Sequence, residues 1–262
     1  MTKIAIEVHN LTVSYNQRPV LWDIDFSLPE GKLIGIVGPN GSGKTTLLKS
    51  IMGLVPVSGG FARLFDQQLD DVRSQVSYVP QRETVDWDFP ARVKDVVLMG
   101  RYRPKNLLRR LTSTDREVAD WALKQVRMEE FAHRQISQLS GGQQQRVFIA
   151  RSLAQQARLY MMDEPFAGVD AASEKAILEL LMQLKDQGNT LLIVHHDLNT
   201  VRQYFDWVVL MNTRLVAAGP VEEVFTEENL QAAYGGQLTV LAKVVDRIQE
   251  GEFPLREKEV KN

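Results

Sequence analysis

The run Leu33-Ile34-Gly35-Ile36-Val37 leads directly into Gly38-Pro39-Asn40-Gly41-Ser42-Gly43-Lys44-Thr45. Apolar almost throughout, the first segment predicts a strand buried on both faces, as the strands of parallel sheets are. The glycine-rich segment predicts a tight turn, and a helical pattern begins at Lys44. A strand-loop-helix unit of this spelling turns successive backbone N–H groups towards phosphate oxygens at the positive end of a helix. Lys44 is then placed to reach the β and γ phosphates and the Thr45 hydroxyl to meet Mg²⁺. The competing reading is a glycine-rich connector with no ligand. The fixed positions recur by chance in on the order of 1 in 100 chains of this length, so phosphate binding is preferred.

Outward from this unit, the runs 159–162 and 191–194 have the same buried-strand character, and a helical pattern over 171–185 separates them. Strands alternating with helices predict an α/β fold with a mostly parallel sheet. Upstream, Ile4, Ile6, Val8, then Leu11, Val13, Tyr15, and then Ile24, Phe26, Leu28 form short alternating runs. Turn residues Asn16-Gln17-Arg18-Pro19 and Pro29-Glu30-Gly31 punctuate them, predicting antiparallel strands. From about 83 the texture becomes rich in Arg, Gln, Leu and Ala, with helical spacing at Val118, Ala122, Leu123 and Val126 and no buried-strand run. The expected division is 1–82 for the first part of a core, 83–157 for an inserted helical subdomain, 158–235 for the rest of the core and 236–262 for a charged tail. Within the insert, the basic stretch 101–110 reads as a solvated helix face. The tail, with Glu257, Lys258, Glu259 and Lys261, reads as frayed.

Composition narrows the function classes. The 262 residues are 44% hydrophobic, enough for one substantial core, and the formal net charge of -2 gives no sign of a polyanion as the main partner. No cysteine is present, which excludes disulfides and thiolate metal sites. The opening MTKIAIEVHNLTVSY alternates like a strand and lacks the basic start and apolar block of a secretory signal. The apolar runs are strand-sized, far short of the ~20 residues that span a bilayer. A membrane role is therefore expected to be exercised through another polypeptide.

Two further segments carry chemistry. Leu159-Tyr160-Met161-Met162-Asp163-Glu164 reads as a buried strand that delivers two carboxylates to the carboxyl edge of the sheet. Solvated acids at a strand end are the plainer reading of that pair alone. With a phosphate loop in the same chain, Asp163 as a Mg²⁺ ligand and Glu164 as the group that orients or deprotonates an attacking water become the better one. In Leu139-Ser140-Gly141-Gly142-Gln143, Ser140 and Gln143 fit a capping box that opens a helix from Gln143 towards Leu153. Such a helix start also exposes N–H groups and a hydroxyl to a phosphate, so both readings can hold.

The phosphate loop, the Leu-Ser-Gly-Gly-Gln signature about a hundred residues later and the Asp163-Glu164 strand soon after resemble the ATP-binding-cassette (ABC) ATPases over roughly residues 3 to 235. That resemblance implies a P-loop NTPase core with a mostly parallel sheet, an N-terminal antiparallel β layer and an inserted helical subdomain. It implies ATP and Mg²⁺ as ligands, and a head-to-tail dimer in which Ser140 and Gly142 of one copy close on the γ-phosphate held by Lys44 of the other. Gly38, Pro39, Asn40, Gly41, Ser42, Gly43, Lys44, Thr45 and Thr46 are the implied nucleotide-binding loop, with Gly141 and Gln143 completing the signature. Tyr15 stands where these ATPases stack an aromatic ring on adenine, although alone it is a half-buried strand tyrosine. Gln81 matches the glutamine that senses Mg²⁺ and the attacking water. Asp170, also a plausible helix N-cap, matches a loop crossing the dimer interface, and His196 matches the switch histidine at the γ-phosphate. His195 stands where that loop usually has threonine.

The segments 79–90, 96–102 and 164–170 look like those of ATPases of manganese, zinc and iron importers. The implied partners are transmembrane permease subunits inserting a helix in a groove beside Gln81, and an extracytoplasmic solute-binding protein; no nucleic acid is expected. The implied location is the cytoplasmic face of the membrane, held there by the permease. Trp87 and Phe89 are equally readable as groove lining or as core of the helical subdomain. An iron-chelate or other transporter, or a soluble ABC ATPase acting on nucleic acid or ribosomes, is the alternative.

Overall fold

The computed structural model describes residues 3–16, 18–102 and 110–235. Most of the basic stretch 101–110 and the whole charged tail lie outside the described residues. Along the chain come β1 (Ile4–Tyr15), β2 (Arg18–Pro29), β3 (Leu33–Val37), α1 (Lys44–Ile51), β4 (Gly59–Leu64), α2 (Leu69–Val72) and β5 (Val76–Val79). They are followed by α3 (Val93–Met99), α4 (Ser113–Gln125), α5 (Gly141–Ala154), β6 (Leu159–Asp163), α6 (Ala171–Asp186) and β7 (Thr190–Val194). The chain then forms α7 (Val201–Tyr204), β8 (Trp207–Asn212), β9 (Arg214–Pro220), α8 (Val221–Val224) and α9 (Glu227–Tyr234). Two compact units result, one built from the chain up to Leu69 and from Val194 onward, the other from Asp70 to Ile193.

In the first unit, β2, β1 and β4 form an antiparallel sheet with β1 at its centre. The alternation of buried residues along β1 changes phase, from Ile6 and Val8 to Leu11 and Val13. A bulge explains the change: the β1–β2 register shifts between Val8 and Leu11, and Asn10 there has φ 46°. Its amide donates to Asp23 Oδ1 at 2.9 Å on β2, where φ is again positive, at 52°. The other sheet of this unit has the order β3-β8-β9, with β3 and β8 parallel and β8 and β9 antiparallel. Every residue of β3 is buried, as its composition predicts.

In the second unit, β5, β6 and β7 follow one another in order, β5 running parallel to β6. Helices α3, α4 and α5 occupy the stretch expected to be helical, and among its described residues no strand occurs. A complete capping box starts α4: Thr112 Oγ1 accepts from the Asp115 N–H, and the Asp115 carboxylate accepts from the Thr112 N–H at 2.9 Å. These bonds, with the Arg101 guanidinium at 3.0 Å, hold the Asp115 carboxyl down at about 2. Among the described residues, no helix is long and apolar enough to cross a membrane.

Candidate nucleotide site

The site residues read from the sequence fall in both units. Tyr15, the loop from Gly38 to Thr46 and His196 belong to the first, and Gln81, Ser140 to Gln143, Asp163, Glu164 and Asp170 to the second.

Between β3 and α1 the chain turns so tightly that a side chain is excluded at Gly38 and Gly43. A Cβ on Gly38 would strike the carbonyl oxygen of Met211 and lie 2.8 Å from Ser42 Oγ. Gly43, the N-cap of α1, has φ 96°, and a Cβ there would lie 2.6 Å from the Leu21 side chain. No side chain caps α1, so its first N–H groups are left to be satisfied otherwise. Lys44 is 6% exposed and curls over the turn, donating to the carbonyls of Gly38 at 2.8 Å and Pro39 at 2.9 Å. Ser42 is 1% exposed with a hydroxyl that meets no partner. A nearly buried ammonium and an unsatisfied buried hydroxyl, on a loop crowded at Gly38 and Gly43, fit a phosphate group. Tyr234 at the end of α9 is buried, and burial raises the pKa of its phenol while the Gly38 backbone lowers it. The ring of Tyr15, at the end of β1, is 45% exposed and open to a planar ligand.

After β7 the chain carries His195 and His196. His196 is exposed, whereas His195 is 2% exposed and packs on Phe205 with ring centroids 5.2 Å apart. Gly35 on β3 makes room for that phenyl ring, since a Cβ there would come within 3.1 Å of it. His195 Nε2 meets Thr200 Oγ1 at 2.7 Å, and Thr200 gives its own proton to the Asp197 carbonyl at 3.1 Å, so the ring nitrogen is the donor. Burial pushes the His195 imidazole down to about 4, helped by His196 beside it. At neutral pH it is an uncharged clasp on the loop that presents His196. Among the described residues, no cluster of His, Asp or Glu forms a metal site.

In the second unit, β6 ends in Asp163, fully buried, followed by Glu164 in a left-handed conformation at φ 49°. A non-glycine residue held there marks a strained turn, of the kind found where a side chain must be aimed. The Gln81 amide donates to Glu164 Oε2 at 3.3 Å, so these two predicted residues do come together. The signature also folds as its capping box predicts, with the Gln143 N–H reaching Ser140 Oγ at 3.4 Å and the Ser140 N–H reaching Gln143 Oε1 at 2.9 Å. The helix, however, begins at Gly141 and not at Gln143. With Ser140 as N-cap, both glycines lie in the first turn, and a Cβ on Gly142 would sit 3.0 Å from the Gly168 carbonyl oxygen. Asp170 caps α6, accepting from the Ser173 N–H at 2.9 Å and its hydroxyl at 2.7 Å, which lowers the Asp170 pKa. Trp87 is half-buried against Phe148 and Phe89 is 55% exposed, so the two aromatics divide between packing and surface.

Residues 21–167 match the ABC transporter family. The chain is 58% identical over 236 residues to the manganese transport system ATP-binding protein MntB of Bacillus subtilis, covering 90% of this chain and 94% of that protein. It is 55% identical over 238 residues to the zinc transport system ATP-binding protein TroB of Treponema pallidum, covering 91% and 90%. Among solved structures it is similar to the ADP conformation of MJ1267, an ATP-binding cassette of an ABC transporter, with a TM-score of 0.73 at 25% identity over 90% of this chain and all of that one. A loop built to receive phosphate, the signature on its capped helix and these relatives agree: the chain belongs to the ABC transporter family.

Proposed function

We propose that this chain is the ATP-hydrolysing subunit that powers a membrane transporter importing manganese, zinc or iron. The observation that carries the ATPase reading is the loop from Gly38 to Thr45, where Lys44 is nearly buried against the Gly38 and Pro39 carbonyls and the Ser42 hydroxyl is unsatisfied. The metal reading is supported by the relatives named for manganese and zinc transport at 58% and 55% identity.

In this reading the loop N–H groups and Lys44 bind the phosphates, with Thr46 beside them, and Tyr15 stacks on the base. Thr45, Asp163 and Gln81 would hold Mg²⁺, which would supply neutralisation of the charge that develops on the phosphates. Glu164, aimed by its strained turn, accepts a proton from the attacking water or orients it. His196 touches the γ-phosphate. Ser140 and Gly142, on the helical subdomain 83–157, serve the nucleotide bound by a second, head-to-tail copy, and Asp170 belongs to the loop that crosses between copies. Transmembrane permease subunits hold the chain at the cytoplasmic face of the membrane, and an extracytoplasmic binding protein delivers the metal.

Affinity isolation of the tagged chain from native membranes in mild detergent tests this reading. A polytopic membrane protein should co-purify, and the complex should hydrolyse ATP. Recovery with ribosomes or nucleic acid in a salt-dependent manner, and without a membrane protein, would overturn it.

A further inference from the structure

Gln81 has a neighbour whose contacts run the opposite way. The Arg82 guanidinium donates through Nε and Nη2 to Gln144 Oε1, at 3.3 Å and 3.1 Å. Gln144 is 4% exposed and its amide nitrogen donates to the Ile136 carbonyl at 3.2 Å, so its oxygen is fixed towards Arg82. Five residues on, the Trp87 indole N–H returns to the Arg82 carbonyl at 2.9 Å and closes the segment into a loop. The Trp87 ring meets Phe148 edge-on at 4.9 Å, and the Arg82 guanidinium lies 6.0 Å from the Trp87 ring. Gly141, Gln144 and Phe148 recur at helical spacing and so share one face of α5. A Cβ on Gly141 would lie 2.9 Å from Arg82 Cζ and Nε, so the guanidinium occupies the space that this glycine leaves.

We propose that Arg82 is a positioning residue that fastens the loop carrying Gln81 to the signature helix. Gln81 grips Glu164, Arg82 grips the first turns of α5, and a single peptide bond joins the two grips. Displacing the loop therefore shifts Ser140 and Glu164 together or breaks one grip. A permease segment that presses on this loop thus adjusts two functions at once: the water-activating carboxylate of one site and the signature offered to the other. This inference rests on the function proposed above.

The test uses the intact complex purified from membranes, with MgATP as the probe. Arg82→Ala should lower hydrolysis by the complex about 10-fold while the affinity of the isolated subunit for MgATP changes by less than about 2-fold. Arg82→Lys, which keeps the charge but not the fork, should recover part of the rate. The double variant Arg82→Ala/Gln144→Ala should be no slower than the slower single variant, because the two residues act as one contact. Unchanged hydrolysis by the Arg82→Ala complex, additive losses in the double variant, or an equal loss of ATP affinity in the isolated subunit would each overturn the proposal. A wild-type complex that fails to hydrolyse ATP would instead refute the function on which the inference rests.

Discussion

The side-chain amide of Gln81 donates to Glu164 Oε2 at 3.3 Å, joining a residue just after β5 to one just after β6. A carboxylate that accepts a hydrogen bond from a neutral amide is held in one orientation, which a water-activating base needs. Glu164→Gln should therefore still bind ATP but hydrolyse it ~100-fold or more slowly, within the range for loss of a general base. It should also accumulate as an ATP-bound dimer. Phosphate release and size-exclusion chromatography with MgATP check both outcomes, and turnover at the normal rate would remove Glu164 from its role.

Ser140 has two tasks that can be separated. As the N-cap of α5 it satisfies the Gln143 N–H, and its loss should cost about 1 kcal/mol of stability. In the proposed function it also serves the nucleotide of the other copy. Ser140→Ala is thus expected to reduce hydrolysis while ATP affinity of the isolated subunit stays near wild type. Calorimetric titration of the monomer measures this, and an equal loss of affinity there contradicts the two-copy arrangement.

The loop glycines should differ in what a methyl group does to them. At Gly38 a Cβ runs into the Met211 carbonyl, a backbone atom that cannot step aside, so Gly38→Ala should destabilise the fold by about 3 kcal/mol and abolish ATP binding. At Gly41 no atom lies within 4 Å of a Cβ, and only its φ of 80° opposes a side chain. Gly41→Ala should cost roughly 1 kcal/mol, so urea unfolding of the two variants side by side checks the difference.

Buried neutral His195 makes stability depend on pH. Its folded pKa, about 4, lies below the 6.5 of a free imidazole. The unfolded chain thus takes up a proton that the folded chain refuses, and stability falls as pH drops from 6.5 towards 4. Between neutral pH and pH 5 the loss is up to about 2 kcal/mol. Urea midpoints across this range should show the slope in the wild type and a flatter one in His195→Phe.

Much of this fold is legible in the sequence wherever one physical demand dominates. Burial on both faces strips polarity from Leu33–Val37, Leu159–Asp163 and Thr190–Val194, so each strand announces itself. The caps at Ser140 and Asp170 are legible because their side chains bond to N–H groups only three residues away. The start of α5 is less legible: glycine is a poor helix former, which favours a start at Gln143, but the cap at Ser140 brings Gly141 and Gly142 into the first turn. The hairpin of β8 and β9 is harder to see: Trp207–Asn212 is apolar, but the turn rests on Thr213 at φ 57° and not on a glycine or asparagine. The Arg82 grip on Gln144 has no sequence signal, because it joins residues that only the fold brings together.

Uptake of radiolabelled manganese, zinc and iron by cells carrying the wild-type chain, Glu164→Gln or a deletion tests the central claim most directly. The account predicts that uptake of at least one of these metals falls in Glu164→Gln cells to the level of the deletion, with the protein still present at normal abundance. Undiminished uptake of all three metals in both altered strains would contradict it.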